Sequence, residues 1–350
     1  MTKKVNKKNA IVLILVLLVV GLIYWAYASR PKVEETQNTQ TNKVMVYHNN
    51  TLKEEVNGKL IWQCYAETMT VDQDSQMFTM EKVKGTFYRE DGTSIEINAP
   101  KATYDQKNKN IELVDGIEAK SSDELKFKTD KVTWNGEQGI LTCEGNVDIN
   151  KPGMRATADK AESKDAFTNF KLMGNAHIIK GDKKKKKKYS KLKTALVVAI
   201  MSFSMINTVI AADTPIELKG DVIEYNAQTD MAIATGGVTI IRDGGVLTGG
   251  QATYNFKTQE ASITGGVTAN KDDMNLKAES LISNANQEVV AKGSVVLVKA
   301  DNTLTGEEIH YNQATSDISM PLGGNATGPQ ADIRGDVLSG NLMTNQYTAT

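Results

Sequence analysis

The residue types that most often do chemistry are sparse in this sequence of 350 residues. Its three histidines, His48, His177 and His310, stand far apart, and none has the companion residues of a metal-binding pattern such as HExxH. His310 alternates with apolar neighbours, which predicts a strand position that faces solvent. The histidines therefore predict no metal site.

The two cysteines, Cys64 and Cys143, fit no zinc spacing and are too few for a disulfide framework. They can form one disulfide in an oxidising compartment, or be two small buried apolar residues. The glycine-rich stretch 244–250 lacks the lysine and hydroxyl residue of a phosphate loop, which favours a bulge or turn. Acidic residues mostly alternate with apolar ones, as on a solvated strand face. We therefore expect no catalytic residue and no cofactor.

The net charge of −1 offers no overall basic field, which argues against nucleic acid as a partner. Positive charge is instead concentrated beside apolar segments. Residues 10–28 are almost continuously apolar, follow four lysines and end in Tyr24, Trp25 and Tyr27. As a helix this segment is about 28 Å long, close to the ~30 Å core of a bilayer. It predicts an uncleaved, single-pass inner-membrane anchor, with the following residues outside the cytoplasm.

A second apolar segment lies in the middle of the chain. Lysines at 183–193 precede the apolar residues 195–210, and Ala211 and Ala212 have the small side chains of a cleavage site. Such a signal-like segment is unexpected there. Three explanations stay open: two adjacent genes read as one, a true fusion cleaved near Ala211 or Ala212, and an intact chain whose segment lies on the membrane or loops back.

Outside these segments the sequence predicts β-structure with a repeat. A glycine followed by an alternating strand recurs at intervals of 27 to 31 residues within each half of the chain. The positions are Gly85, Gly116, Gly145 and Gly174, and then Gly237, Gly266, Gly293 and Gly324. Each unit contains about three short strands that cannot bury an apolar face alone, so units must stack. Glycines at turns favour antiparallel hairpins over the competing parallel β-helix.

The two-residue period of side chains in strands predicts which apolar residues line the interior. Such an interior is either a closed core or a trough that is open along one seam and accepts acyl chains. The candidate lining residues are Ile95, Ile97, Ile111, Leu113, Leu125, Phe127, Val147, Ile149, Ile233, Val238, Ile240, Ile263, Val267, Leu276, Leu281, Val295, Leu297 and Ile309.

Two families resemble the two halves of the chain. Residues 1–182 resemble the LptC family in the anchor, the strand around Trp62, Asp91-Gly92 and Ala99–Tyr104. Residues 183–350 resemble the LptA/OstA family in Asp221–Tyr225, Gly236–Ile240 and Ala252–Tyr254. The expected organisation is a cytoplasmic tail (1–9), a transmembrane anchor (10–28), a linker (29–42), an LptC-like β-jellyroll (43–182), the lysine-rich signal-like segment (183–212) and an LptA/OstA-like β-jellyroll (213–350).

The resemblance implies a fold and a function. Each β-domain is expected to be a half-open antiparallel jellyroll, and the chain a non-catalytic periplasmic bridge component. It would bind lipopolysaccharide, or a related glycolipid, by its lipid A acyl chains and pass it toward the outer membrane. The implied partners are inner-membrane ABC transporter components, an outer-membrane lipopolysaccharide receptor and other LptA-like domains, joined end to end by β-augmentation. The alternative is a structural envelope scaffold with a closed core, and the second domain can also be released as a soluble periplasmic protein.

Overall fold

The computed structural model describes residues 44–89, 92–164, 167–181, 215–286, 288–329, 331–344 and 346–350. In these ranges the chain consists of strands and turns without helices, as expected from the alternating sequence. No helix that could cross a membrane is therefore found in them. The predicted anchor (10–28) and the lysine-rich segment (183–212) lie outside the described residues.

The chain forms 23 strands in this part. They are β1 Val44–Val56, β2 Lys59–Asp72, β3 Met77–Tyr88, β4 Ser94–Asp105, β5 Asn110–Val114, β6 Ile117–Ser121, β7 Lys126–Thr129, β8 Lys131–Asn135, β9 Ile140–Lys151, β10 Met154–Ser163, β11 Asn169–Lys180, β12 Ile216–Asn226, β13 Met231–Arg242, β14 Gly245–Asn255, β15 Ala261–Lys271, β16 Met274–Ser283, β17 Glu288–Lys299, β18 Asn302–Asn312, β19 Asp317–Met320, β20 Gly324–Thr327, β21 Asp332–Gly335, β22 Leu338–Asn341 and β23 Gln346–Ala349.

The strands form one antiparallel meander, in which each long strand pairs with the next along the chain. The antiparallel registers rule out a parallel β-helix for this part. The meander continues without a break between the two predicted β-domains, because β11 pairs with β12 from Asn169–Asn226 to Lys180–Ile216. At three places a strand is divided into two short ones: β5 and β6 both pair with β4, β7 and β8 both pair with β9, and β19 and β20 both pair with β18.

Five of the eight repeated glycines lie inside strands, at β-bulges, and not at hairpin turns as the sequence predicted; these are Gly145, Gly174, Gly237, Gly266 and Gly293. Gly85 is regularly paired within β3, Gly116 lies between β5 and β6, and Gly324 begins β20. The register of β13 on β14 shifts between Thr235 and Val238, where Gly236 and Gly237 both have positive φ, +77° and +56°. Bulges of the same kind interrupt β9, β11, β15 and β17. A bulge bends its strand and increases the local twist. The regular repeat is therefore two long bent strands and not three short ones.

The bends fold the meander back on itself. Lys180 is paired with Ile216 at the start of β12, yet its ammonium lies 3.2 Å from the hydroxyl of Tyr225, near the end of the same strand. A straight strand would separate these two positions by about 30 Å. The two halves of each bent strand therefore belong to two half-sheets that face each other. We name the line of bulges the bend, and the opposite edge, where strand ends from the two half-sheets meet, the mouth.

Candidate functional site

The space between the half-sheets holds most of the apolar residues that the sequence assigns to the interior. Among the eighteen predicted lining residues all but Ile97, Ile111 and Ile233 are buried. Ile97 and Ile111 are partly buried and pack against the core. Ile149 and Ile263, from the first and second halves of the chain, are 0% exposed. The structure thus brings these residues to one inner face, which continues across the pairing of β11 with β12.

Ile233 is an exception, and its predicted inward orientation is wrong. It is 38% exposed on the outer face of β13, while Ala232 and Ala234 on either side are fully buried. The inward residues of β13 are even-numbered on both sides of the bulge at Gly236 and Gly237, since Ala234, Val238 and Ile240 are all buried. The prediction placed the odd-numbered Ile233 on the same face as Val238, which requires a change of parity that the strand does not make.

Aromatic residues near the mouth are part of the inner face, and except for Phe127 the sequence analysis missed them. Their rings form a line of contacts from Phe127 through Phe167 and Phe170 to Tyr225, with centroid distances of 5.2, 6.5 and 5.2 Å. Tyr225 in turn contacts Phe256 at 6.1 Å. The line crosses from β11 to β12, so the apolar contacts at the mouth do not end at the boundary between the two halves. The repeated Tyr and Phe at strand ends were visible in the sequence, but their direction was not.

A small apolar cavity of about 70 Å³ remains near the first strands. Its lining includes Trp62, Met80 and Trp134, together with the predicted Ile111 and Leu113. Drug-sized ligand pockets are typically ~300–1,000 Å³. The half-sheets are therefore largely in contact, and an acyl chain can enter only where they separate.

Contacts across the mouth are made by side chains. Lys180 forms an ion pair with Asp230 in the opposite turn, and Tyr225 donates a hydrogen bond of 2.6 Å to the same carboxylate. Arg242 donates to the side-chain oxygen of Gln259 at 3.5 Å. Among the described residues no backbone–backbone hydrogen bond crosses the mouth. Separation of the half-sheets there would leave the strand ladders intact.

The first strand is an exposed edge. Among the described residues β1 pairs only with β2, and its side chains Val44, Val46 and Val56 are 46, 56 and 47% exposed. At the other end β21 pairs only with β20, and β23 only with β22, within the part of the chain that the structure describes. Unpaired strand edges present backbone groups to which another strand can add. The two ends of the meander are therefore candidate docking edges.

The histidines and cysteines form no metal-binding group among the described residues. Cys64 and Cys143 are both free and buried, and burial raises their pKa values to about 11 and about 12. His310 lies on the outer face of β18, as the alternation with the buried Ile309 and Tyr311 predicted, and its ring contacts Glu288 and Glu308. Burial opposes its charge, but hydrogen bonds and charges from these two carboxylates raise its pKa overall.

Together, the bent antiparallel meander and its continuous apolar interior define an all-β protein of the jellyroll class. A family model described as "Lipopolysaccharide-assembly, LptC-related" matches residues 11–180 and 150–273. A model described as "LptA/(LptD N-terminal domain) LPS transport protein" matches residues 247–346. Because the first model matches more than half of the chain, the protein belongs to the LptC-related family of lipopolysaccharide-assembly proteins, with an LptA-like C-terminal part. It is a non-catalytic component of lipopolysaccharide transport.

One similar solved structure is LptH from Pseudomonas aeruginosa, described as the LptA homologous periplasmic component of the lipopolysaccharide transport device. It is 11% identical, with a TM-score of 0.32, and the match covers 42% of this chain and 94% of that chain. A search of curated proteins gives no match.

Proposed function

We propose that this protein binds lipopolysaccharide, or a related glycolipid, with its acyl chains between the two half-sheets and passes it toward the outer membrane. The observation that supports this function best is the inner face, which is apolar along the whole meander and continues from β11 to β12. The mouth supports it as well, since side chains alone close it in the described residues.

The energetics suit a carrier without chemistry. Each methylene group exposed to water costs ~0.8 kcal/mol, so a lipid with several acyl chains cannot cross an aqueous space unaided at a useful rate. An apolar trough removes most of this barrier while the sugars stay in water. The buried Val, Ile and Leu side chains of the inner face supply such a trough. Energy for net movement would come from the ATPase of an inner-membrane transporter.

The organisation of the chain is part of the proposal. Residues 10–28 would anchor the protein in the inner membrane, with the bulk of the chain in the periplasm. β1 would receive the inner-membrane transporter, and β21 and β23 a further LptA-like domain or the outer-membrane receptor. The lysine-rich segment 183–212 would be a processing signal, a gene boundary or a membrane-associated connection between the two β-domains.

A second candidate function is a structural envelope scaffold. It is favoured by the close contact of the half-sheets, which leaves a cavity of only about 70 Å³ at the first strands. A scaffold would keep this closed core and bind no lipid. The two functions thus differ in one measurable property, namely contact between lipid and inner-face residues.

Site-specific photocrosslinking in lipopolysaccharide-producing cells tests this property. A photoreactive residue replaces Ile111 or Ile263 on the inner face, and the matched control replaces Ile233, the same residue type on the outer face. We expect lipopolysaccharide adducts at both inner positions and none at Ile233, with folding of each variant checked by circular dichroism. Absence of adducts at the inner positions, or equal adducts at all three, would favour the scaffold.

An immunoblot of fractionated cells tests the organisation. One antibody recognises residues 44–180 and the other residues 215–350. A membrane fragment and a soluble periplasmic fragment would show that residues 183–212 are a processing signal or a gene boundary. One membrane-bound band of full length, seen by both antibodies, would show a tethered bridge and exclude processing.

A further inference from the structure

A row of basic side chains follows the mouth on the inner side of one half-sheet. Each lies six residues after the first residue of a bulge, at the end of a strand whose preceding inward residues are buried. In β13, for example, Val238, Ile240 and Arg242 face inward in succession. We name these residues the cation row: Lys151, Lys180, Arg242, Lys271 and Lys299.

The strand register places the cation row on one line. Lys151 is opposite Met154, which is opposite Lys180, and Lys180 is opposite Ile216, which is opposite Arg242. Directly paired residues share one face of a sheet. With ~4.8 Å between strands, cations two strands apart are about 10 Å from each other. The line passes from the first half of the chain to the second at β11 and β12.

The line continues through the second half with the same spacing. Val246 is opposite Asn270, which brings the preceding Gly245 beside Lys271. Lys271 is opposite Met274, and Met274 is opposite Lys299. The cations thus alternate with small or apolar residues, of which Met154, Ile216 and Met274 are buried. The row is therefore the polar border of the apolar inner face.

The positive charge of the row is only partly compensated within the protein. Lys180 is paired with Asp230, and Lys271 lies 3.4 Å from the largely exposed Asp243. Lys151 and Lys299 have no carboxylate within 4 Å among the described residues, and Lys299 donates instead to the backbone oxygen of Leu342 at 3.1 Å. Burial lowers the pKa of both lysines.

A buried hydroxyl near the row also has no partner in the protein. Tyr254 is 1% exposed, and its hydroxyl makes no hydrogen bond among the described residues. It lies within electrostatic reach of Arg242, although burial dominates and raises the Tyr254 pKa to about 12. A buried hydroxyl donor is satisfied by an acceptor such as an anionic oxygen. Cations and a free donor therefore meet at the mouth.

We propose that the cation row binds the anionic headgroup, above all the phosphate groups, of the amphiphile whose acyl chains lie between the half-sheets. This inference rests on the proposed function, since the chains bring the headgroup to the mouth. A phosphorylated glycolipid can contact both parts of the site: its acyl chains pack on the apolar inner face, and its phosphates bind the lysines. The same phosphate passes from Lys151 to Lys180 and Arg242 as the lipid crosses from the first half to the second.

The binding test uses the full chain in detergent and two probes with the same acyl chains, lipid A and its dephosphorylated form. One variant carries Lys151→Gln, Lys271→Gln and Lys299→Gln, which leaves the pair that bridges the mouth at Lys180 intact. The matched control removes three exposed outer-face lysines and the same net charge. It carries Lys84→Gln, Lys126→Gln and Lys277→Gln.

We expect the wild type to bind lipid A at least about tenfold more tightly than the dephosphorylated form, the ratio that one charge-assisted hydrogen bond provides. The row variant should lose this preference but keep its affinity for the dephosphorylated lipid, and the control should keep both. Equal affinity of the wild type for the two lipids would overturn the proposal. Equal losses of lipid A affinity in the row variant and in the control would overturn it as well. Failure to bind either lipid would instead refute the proposed function.

Amine acylation followed by mass spectrometry tests the row without substitutions. Because its pKa is lowered, the Lys151 amine should react readily in the free protein. Lipid A should protect Lys151 and Lys299, whereas dephosphorylated lipid A and inorganic phosphate at the same phosphate concentration should not. Equal protection by inorganic phosphate would show a site for free phosphate and overturn the assignment to an amphiphile.

Discussion

The bulge of β13 offers a pair of adjacent glycines with different surroundings, which makes the role of the bend measurable. Gly236 and Gly237 both have positive φ, a conformation that residues with a Cβ adopt at a cost of ~1–2 kcal/mol. A Cβ added at Gly237 meets nothing within 4 Å. A Cβ added at Gly236 lies 2.7 Å from the Cβ of Asp221 and overlaps its carboxylate.

These differences set the expected magnitudes. Gly237→Ala should lower the free energy of unfolding by about 1 kcal/mol, because a smaller unfolded-state entropy offsets part of the φ cost. Gly236→Ala should lower it by about 2–4 kcal/mol, since overpacking adds ~1–3 kcal/mol. Rotation of the Asp221 carboxylate does not relieve this overlap, because the Cβ of Asp221 is fixed to the backbone.

Urea unfolding of the full chain in detergent, followed by circular dichroism of the β-signal, measures both changes. The Asp221→Gly background removes the opposing Cβ. In this background Gly236→Ala should lower the free energy of unfolding only by as much as Gly237→Ala does. The double-mutant cycle therefore isolates the overlap. Equal losses for the two single variants, or a loss at Gly236 that does not respond to Asp221→Gly, would refute the reasoning.

Three further predictions concern side chains. Ile149→Ala should destabilise the protein by about 2–5 kcal/mol in the same unfolding assay, and Ile233→Ala on the outer face by less than about 1 kcal/mol. Because the pKa of His310 is raised in the folded state, its stabilising effect is fully present below the unfolded pKa of ~6.5 and is lost as the pH rises through the folded pKa. His310→Gln should therefore reduce the fall in melting temperature between pH 6 and pH 8, and an unchanged fall would contradict this assignment. Cys143 is fully buried with a pKa of about 12, so a maleimide at pH 7.5 should label it only after unfolding.

The sequence predicted the all-β class and the identity of most inward residues but not the path of the chain. Val238 and Ile240 were placed correctly because side chains alternate on either side of a strand. Ile233 was misplaced because a pair of glycines is compatible with a hairpin turn and also with a bulge. Local sequence does not distinguish these two conformations. The choice depends on the neighbouring strands, which pair with β13 on both sides of the glycines.

The basic residues of the mouth show a second limit of sequence reasoning. A lysine at the end of a strand is usually a solvated residue, and many edges carry lysine to prevent aggregation. Lys151 looks the same in the sequence. Its inward direction follows from its alternation with the buried Val147 and Ile149, but its place at the mouth follows only from the bulge at Gly145 and Asn146, where the strand bends. The spacing was visible, but without the bend it had no structural meaning.

The regular spacing of the cation row has a consequence for movement along it. Positively charged positions about 10 Å apart, each beside the same apolar border, give a bound headgroup a similar partner at each step. Such a periodic profile has low barriers and no slope, so a lipid can diffuse along it in either direction. Net flow then depends on supply at one end and removal at the other, and weak, equivalent sites allow faster transit than one tight site.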